Sequence, residues 1–255
     1  MLWRNAPKCS PMIITTDRAH LRPGLRIYCI GDIHGRADLL AQMQNRIAAD
    51  LKRRPNRESL IVCLGDYIDR GPQSAQVLDL LAQPAPARLF ALRGNHESMM
   101  LAFLSDARTL DMWRRFGGIE TLVSYGIDVS DVSMGLGYEE ARQTLLAILP
   151  ERHLNLLQNM RLSLELDDYF FCHAGIRPGI ALKAQSETDL TTIRDDFLES
   201  DEDFGRIVIH GHTPVAEPEI RQNRINIDTG AFASGRLTCL VIEPQGFFFH
   251  QEEAE

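Results

Sequence analysis

A chain of 255 residues, 44% of them hydrophobic, is long enough to bury a core of its own and asks for no more than one domain. A net charge of −8 and a pI near 5.5 argue against a surface built to neutralise phosphates or anionic lipid, which excludes nucleic-acid polymers and membranes as expected partners. Five cysteines are an odd number, and Cys29, Cys63, Cys172 and Cys239 lie in apolar, strand-like runs, so they read as buried thiols of a cytoplasmic protein.

In chain order, residues 1–24 read as an N-terminal extension without an apolar stretch long enough for a signal-peptide core. No later window approaches the length of a spanning helix. Leu25–Ile30 is an apolar run rich in β-formers that stops at Gly31, which predicts a buried strand and then the loop GDIHGR. Leu39, Leu40, Met43, Ile47 and Leu51 follow at helical spacing, with Lys52, Arg53 and Arg54 suited to a helix C-terminus. The pattern repeats as Ser59–Leu64 leading into GDYIDRGP, where Pro72 suits the first turn of a helix carrying Val77, Leu78 and Leu81. It recurs as Arg88–Leu92 leading into RGNHE. Strands alternating with helices predict a compact α/β unit, whose ligands collect on loops beyond the strands' carboxyl ends.

Residues 98–160 change character, with Met99, Met100, Phe103, Leu104, Leu145, Leu146 and Leu149 at helical spacing, and are expected to be a helical insertion within a single domain spanning 25–245. Strands are predicted at Leu162–Leu166, Tyr169–Cys172, Ile207–Ile209, Ile225–Ile227, Leu237–Ile242 and Phe247–Phe249, with one clear helix at Asp189–Leu198.

Five loops begin where an apolar strand ends, and together they present Asp32, His34, Asp66, Asn95, His173 and His212. Mixed carboxylate, imidazole and amide-oxygen donors suit manganese, iron, zinc or similar divalent ions better than a soft thiolate site would. Two-metal hydrolases hold their ions roughly 3.5 to 4 Å apart, commonly with one bridging carboxylate, for which Asp66 is the candidate. A single Asp-x-His is more often a surface loop with a capping Asp; five such loops in one short chain reverse that judgement.

GDIHG at 31–35, GDYIDRG at 65–71, RGNHE at 93–97, HAG at 173–175 and GHT at 211–213 resemble, in the expected order, the signature blocks of the phosphoprotein phosphatase branch of calcineurin-like metallophosphoesterases. That resemblance implies a four-layer α/β sandwich of two mixed β-sheets flanked by helices, with the site at one edge. It implies that Asp32, His34 and Asp66 bind a first metal and that Asp66, Asn95, His173 and His212 bind a second. Manganese is the first ion expected in vitro, with iron, zinc, nickel or magnesium as alternatives. Asp69 and His96 match the family's acid pair, Arg70 matches a phosphate-binding arginine, and Arg194 stands where similar bacterial members carry another. Thr192 departs from the Trp of that bacterial pattern, which weakens the Arg194 assignment most. GHTP at 211–214 lacks the GHxH of the cyclic-nucleotide and nuclease branches.

The expected activity is metal-dependent hydrolysis of a phosphomonoester by a hydroxide held between two cations, on a phosphorylated protein, a peptide or a small phosphoester. Hydrolysis of a dinucleoside polyphosphate is the alternative; the related group that does this tends to carry GNHD and to lack the acid-pair aspartate, whereas Glu97 and Asp69 are present here. A catalytically inactive regulatory binding protein is a third reading, disfavoured because every expected ligand is present. Asp228 reads as a turn cap more than a partner to a metal-bound histidine, His210 as packing or function equally, and His20, His153 and His250 as surface or partly buried residues. The physiological substrate and oligomeric state stay open.

Overall fold

A computed structural model describes residues 19–254; residues 1–18 of the expected extension lie outside the described residues. The chain runs β1 (Leu25–Ile30), α1 (Ala37–Arg53), β2 (Glu58–Cys63), α2 (Ser74–Ala82) and β3 (Arg88–Ala91). Six helices follow with no named strand between them: α3 (Asn95–Ser105), α4 (Leu110–Trp113), α5 (Gly118–Ser124), α6 (Ser130–Ser133), α7 (Tyr138–Ile148) and α8 (Glu151–Gln158). The remainder is β4 (Ser163–Leu166), β5 (Tyr169–Cys172), α9 (Glu187–Thr192), α10 (Asp195–Leu198), β6 (Ile207–His210), β7 (Glu219–Ile220), β8 (Arg224–Asn226), α11 (Ala231–Ser234), β9 (Arg236–Glu243) and β10 (Gly246–Glu253).

The strands form two five-stranded sheets, in the orders β10-β9-β1-β2-β3 and β4-β5-β6-β8-β7. Both are mixed: β1, β2 and β3 run parallel while β9 and β10 are antiparallel, and β5, β6 and β8 run parallel between antiparallel β4 and β7. Side-chain alternation explains the layering. Ile27 and Cys29 of β1 join Phe171, Ile209, Ile225 and Leu240 in one apolar cluster drawn from both sheets. Tyr28 and Ile30 point the other way, into a cluster with Leu39, Leu40, Met43 and Ile47 of α1. On the second sheet, Phe170, Cys172 and Val208 pack against Leu190 and Phe197 of α9 and α10. The expected sandwich of two mixed sheets flanked by helices is therefore the observed one, and the four described cysteines are free and buried. No described helix is long and apolar enough to cross a membrane.

Three local expectations are corrected. The helix expected over Asp189–Leu198 is two helices, because Ile193 is extended (φ −62°, ψ 146°) and Arg194 adopts φ −134°, ψ −105°. Pro72 lies outside the helix, which begins at Ser74 after the N-cap Gln73. His153, read as surface or partly buried, is fully enclosed, with Nδ1 2.8 Å from Tyr125 Oη and Nε2 2.8 Å from Asp79 Oδ1, tying α8 to α2 and to the end of α5. β7 and α11 are too short to leave a periodicity.

Asp50 anchors the helix side of the first sheet. Its buried carboxylate accepts from Tyr28 Oη at 2.7 Å, Arg54 Nε at 2.8 Å and Arg53 at 3.1 Å. Burial raises the Asp50 pKa, but the bonds from Arg54, Tyr28 and Arg53 outweigh it and hold the group below the usual carboxylate range. A depressed folded-state pKa gives stability that is present above the unfolded value of about 4 and is lost as pH falls through the folded value. Asp50→Asn is expected to lower the unfolding free energy by about 3 kcal/mol at neutral pH. In urea titrations the gap between the two proteins should narrow below about pH 4; a gap independent of pH would show that the charge contributes nothing.

Candidate metal centre

The site is assembled at the carboxyl ends of β1, β2, β3, β5 and β6, where five loops meet. Among the described residues six non-glycine side chains have positive φ, and five belong to these loops: His34 (44°), Asp66 (51°), Asp69 (73°), Arg70 (66°) and His212 (66°). Left-handed backbone is unfavourable for such residues and persists where the surroundings enforce it. Glu97 supplies much of that enforcement. Its carboxylate, in the first turn of α3, accepts from the backbone N–H groups of Gly94 (3.0 Å), Asp66 (2.9 Å) and Tyr67 (2.8 Å), fastening the second loop to the third.

Asp66 lies at the centre. Its Oδ2 is 3.3 Å from His173 Nε2, 3.5 Å from His34 Nε2 and 3.8 Å from His96 Nε2, and all four residues are buried. His34 Nδ1 lies 2.9 Å from the carbonyl of Ile68 and His173 Nδ1 3.2 Å from that of Leu64. Those carbonyls accept a hydrogen bond from Nδ1–H, which keeps the proton there and leaves the Nε2 lone pairs directed at the carboxylate. His173 Nε2 also lies 3.1 Å from His212 Nδ1 and 3.2 Å from Asn95 Oδ1. Asp32 accepts from the His212 backbone N–H at 3.0 Å, while its buried Oδ1 has no protein partner. Lone pairs facing lone pairs at these separations repel unless a cation lies among them. The ligand atoms of His34, Asp66 and His96 lie within 4.8 Å of one another, as do those of Asp66, His173 and His212, while Asp32, expected to share the first ion, is in neither group. The donor set, oxygen and imidazole without thiolate, fits two divalent ions.

The electrostatics agree. Burial, then Asp228 and Asp66, raise the Asp32 pKa. Burial pushes His34 down to about 3 and His212 down to about 2, keeping both imidazoles neutral. Burial also opposes the charge on Asp66, but the imidazoles of His173 and His96 prevail and hold it well below its ordinary value.

His96 Nδ1 lies 2.6 Å from Asp69 Oδ2. Burial lowers the His96 pKa, but Asp66 and the Asp69 hydrogen bond raise it by more, so the ring takes a proton more readily than a free imidazole does. The guanidinium of Arg70 lies 3.0 Å from His34 Nε2 and 3.3 Å from His96 Nε2, with its carbon 5.0 Å from the Phe232 ring centre. Arg194 donates to Thr213 Oγ1 at 3.0 Å and lines the same cavity as Arg70, Asn95 and His212. The structure thus gathers all ten residues singled out from the sequence at one rim, Arg194 included, through the break between α9 and α10.

Sequence reasoning missed the cradle of Asp69. Trp113 Nε1 donates to Asp69 Oδ2 at 2.7 Å, Thr121 Oγ1 donates to Oδ1 at 2.6 Å, and Ser74 Oγ accepts from the Asp69 backbone N–H at 2.9 Å. Trp113 and Thr121 stand 44 and 52 positions away, so no local pattern reveals them. Asp228 is indeed a turn cap, its Oδ1 accepting from the Gly230 N–H at 2.9 Å, yet it is buried near enough to Asp32 to raise that group's pKa. His210 is packing: its ring meets Phe197 edge-on at 5.0 Å.

With this site in place the class is a metal-dependent phosphoesterase, and the comparisons agree. Residues 25–234 match the calcineurin-like phosphoesterase family, to which the chain belongs. A relative named bis(5′-nucleosyl)-tetraphosphatase PrpE [asymmetrical], from Anoxybacillus flavithermus, is 27% identical over 83% of this chain and 88% of its own. The solved structure of a candidate diadenosine tetraphosphatase superposes with a TM-score of 0.61 at 17% identity, covering 93% of this chain and 100% of that one. A protein serine/threonine phosphatase from Saccharomyces cerevisiae gives 0.51 at 16% identity, covering 91% and 81%. The two structural likenesses establish the fold alone.

Because Asp69 is fully buried, removing one of its donors leaves an unsatisfied group. Thr121→Val is expected to cost about 1–3 kcal/mol of unfolding free energy, with Thr121→Ser close to the parent. Chemical denaturation measures this, and a Val variant as stable as the parent would remove Thr121 from the cradle.

Proposed function

We propose that this protein is a phosphomonoesterase acting on phosphoserine or phosphothreonine in proteins or peptides and, in vitro, on small aryl phosphates. The observation that carries this reading is the hydrogen bond of 2.6 Å between His96 and Asp69, facing the metal centre. In the proposal Asp32, His34 and Asp66 hold one divalent ion, while Asp66, Asn95, His173 and His212 hold the other, with manganese the first to test. When bound, such ions lower the pKa of water toward neutrality and offset charge on phosphoryl oxygens. Arg70 and Arg194 bind the nonbridging oxygens and stabilise charge that grows on them. Asp69 keeps the His96 ring oriented and favours its protonated form, so that Nε2 holds the proton an alkoxide leaving group needs. A nucleotide phosphate leaves without such help, which is why an intact acid pair favours esters.

The second reading, hydrolysis of a dinucleoside polyphosphate, is favoured by the name that the PrpE relative carries. Retention of all six candidate ligands and the acid pair disfavours an inactive binding protein. We further propose that 98–160 is an insertion within a single 25–245 domain that helps shape substrate recognition, and that the four buried thiols suit a cytoplasmic location.

The test is phosphate release by chelator-stripped protein, with and without Mn²⁺, from a phosphothreonine peptide and, in parallel, nucleotide separation after incubation with diadenosine tetraphosphate. Metal-dependent turnover of the peptide alone supports the first reading; cleavage of the dinucleotide with an inert peptide moves the assignment to the second. Asp66→Asn should lose both ions and all turnover, and a metal-loaded, active variant would refute the bridging role. His96→Asn should retain metal by elemental analysis while ester hydrolysis slows about 10²–10⁴-fold; an unchanged rate would remove His96 as the acid.

A further inference from the structure

Arg70 differs from most arginines of this chain. Arg26, Arg36, Arg54 and Arg177 pair with carboxylates. The Arg70 guanidinium pairs with no described carboxylate and meets His34, His96 and Phe232 instead. Holding a long, flexible cation in one rotamer costs entropy, so something must grip it. His34 Nε2, 3.0 Å away, and His96 Nε2, at 3.3 Å, cannot be that grip in the proposed centre, because the first offers its lone pair to a metal and the second carries the proton for the leaving group. The Phe232 ring competes with neither. A carboxylate in its place would orient the guanidinium but also occupy its N–H donors and cancel its charge. An aromatic face attracts the cation through its quadrupole and leaves those donors to an incoming phosphoryl group.

Phe232 is itself fixed, although 37% of its surface is exposed. It lies on α11, which starts after Gly230 at φ 66° and ends before Gly235 at φ 72°. Asp228 Oδ1 accepts from the Gly230 N–H, and Ser234 Oγ donates to the Thr229 carbonyl at 2.7 Å, closing the turn. The neighbouring Ala231 is buried, and its carbonyl accepts from Arg36 Nη1 at 3.0 Å, which ties α11 to the first loop. Arg36 is held in turn by Asp38, whose carboxylate accepts from its Nε at 2.9 Å. The Phe232 ring then meets His34 edge-on with centres 5.4 Å apart and presents its face to Arg70, whose guanidinium carbon lies 5.0 Å from the ring centre.

We infer that Phe232 is a positioning residue for Arg70: it aims the guanidinium at the metal centre through a cation–π contact that uses none of its hydrogen bonds. This deepens the phosphoesterase reading and rests on it for the role of Arg70 as the group that binds phosphoryl oxygens, whether the substrate is an ester or an anhydride.

Calorimetry with inorganic phosphate on the Mn²⁺-loaded protein reads the contact without turnover. Phe232→Ala should weaken phosphate binding about tenfold, and kcat/KM for a phosphothreonine peptide should fall by a similar factor. Phe232→Leu, which keeps apolar bulk without a π face, should lose as much, and Phe232→Trp should restore binding. A leucine variant equal to the parent overturns the inference. A double-mutant cycle identifies the route. In an Arg70→Ala background Phe232→Ala should have no further effect, and an undiminished loss there would show that Phe232 does not act through Arg70. Manganese content by elemental analysis should match the parent in every Phe232 variant; loss of metal would make the ring a support of His34 and overturn the inference too. The two roles fail separately. A large loss in Arg70→Ala with none in Phe232→Ala sinks the positioning role alone, whereas an unchanged affinity in Arg70→Ala removes Arg70 as the phosphate-binding group and the inference with it.

Discussion

Asp66 carries the heaviest physical constraint in the molecule. Its carboxylate is buried where three imidazole Nε2 atoms approach within 3.3–3.8 Å, on a residue whose own backbone is left-handed. A buried charge is tolerated only if the surroundings are fixed to receive it. The approach is so close that a Cβ at Gly94 would meet the Asp66 nitrogen at 2.6 Å. The glycine of the third loop is therefore a condition of the second loop's geometry, and the Glu97 carboxylate three residues on closes the same junction by binding both loops' N–H groups.

That junction explains how strain is sustained. Residues held at positive φ cost of order 1–3 kcal/mol each, and five of them crowd one rim. The compensation lies outside the loops: parallel strands fix the points from which they depart, and α4 and α5 supply Trp113 and Thr121 to hold Asp69. The helices between β3 and β4 therefore buttress the hydrogen-bonded Asp69–His96 pair as well as forming one wall of the cavity. The buried Asp79–His153–Tyr125 contacts extend this bracing, because they tie α8 to α2, which carries Ser74, and to the end of α5.

What the sequence discloses and what it conceals follow from the range of each interaction. β1, β2 and β5 are legible because apolar runs buried on both faces end abruptly at Gly-Asp or His-Ala, and the same ends mark the loops that carry Asp32, Asp66 and His173. The break at Ile193 and Arg194 is concealed because Leu190, Ile193 and Phe197 keep helical spacing across it, each packing into one cluster although the backbone between them leaves the helix. The donors to Asp69 are concealed for a different reason. A single hydrogen bond from a distant helix imposes no periodicity on either partner, so a tryptophan in an amphipathic turn looks like core and proves to be both core and donor.

The distribution of charge gives the arrangement its thermodynamic sense. Asp32 and Asp228 both have raised pKa values, Asp228 up to about 6, with burial the largest cause in each and Asp66 contributing to both. Repulsion among the buried carboxylates opposes charge on Asp32 and Asp228, whereas on Asp66 the imidazoles of His173 and His96 outweigh it. Divalent cations entering among them remove it, and because the unfolded chain offers no such convergence, they favour the folded state by mass action. The geometry that brings these donors together thus couples cation occupancy to the stability of the rim that holds it.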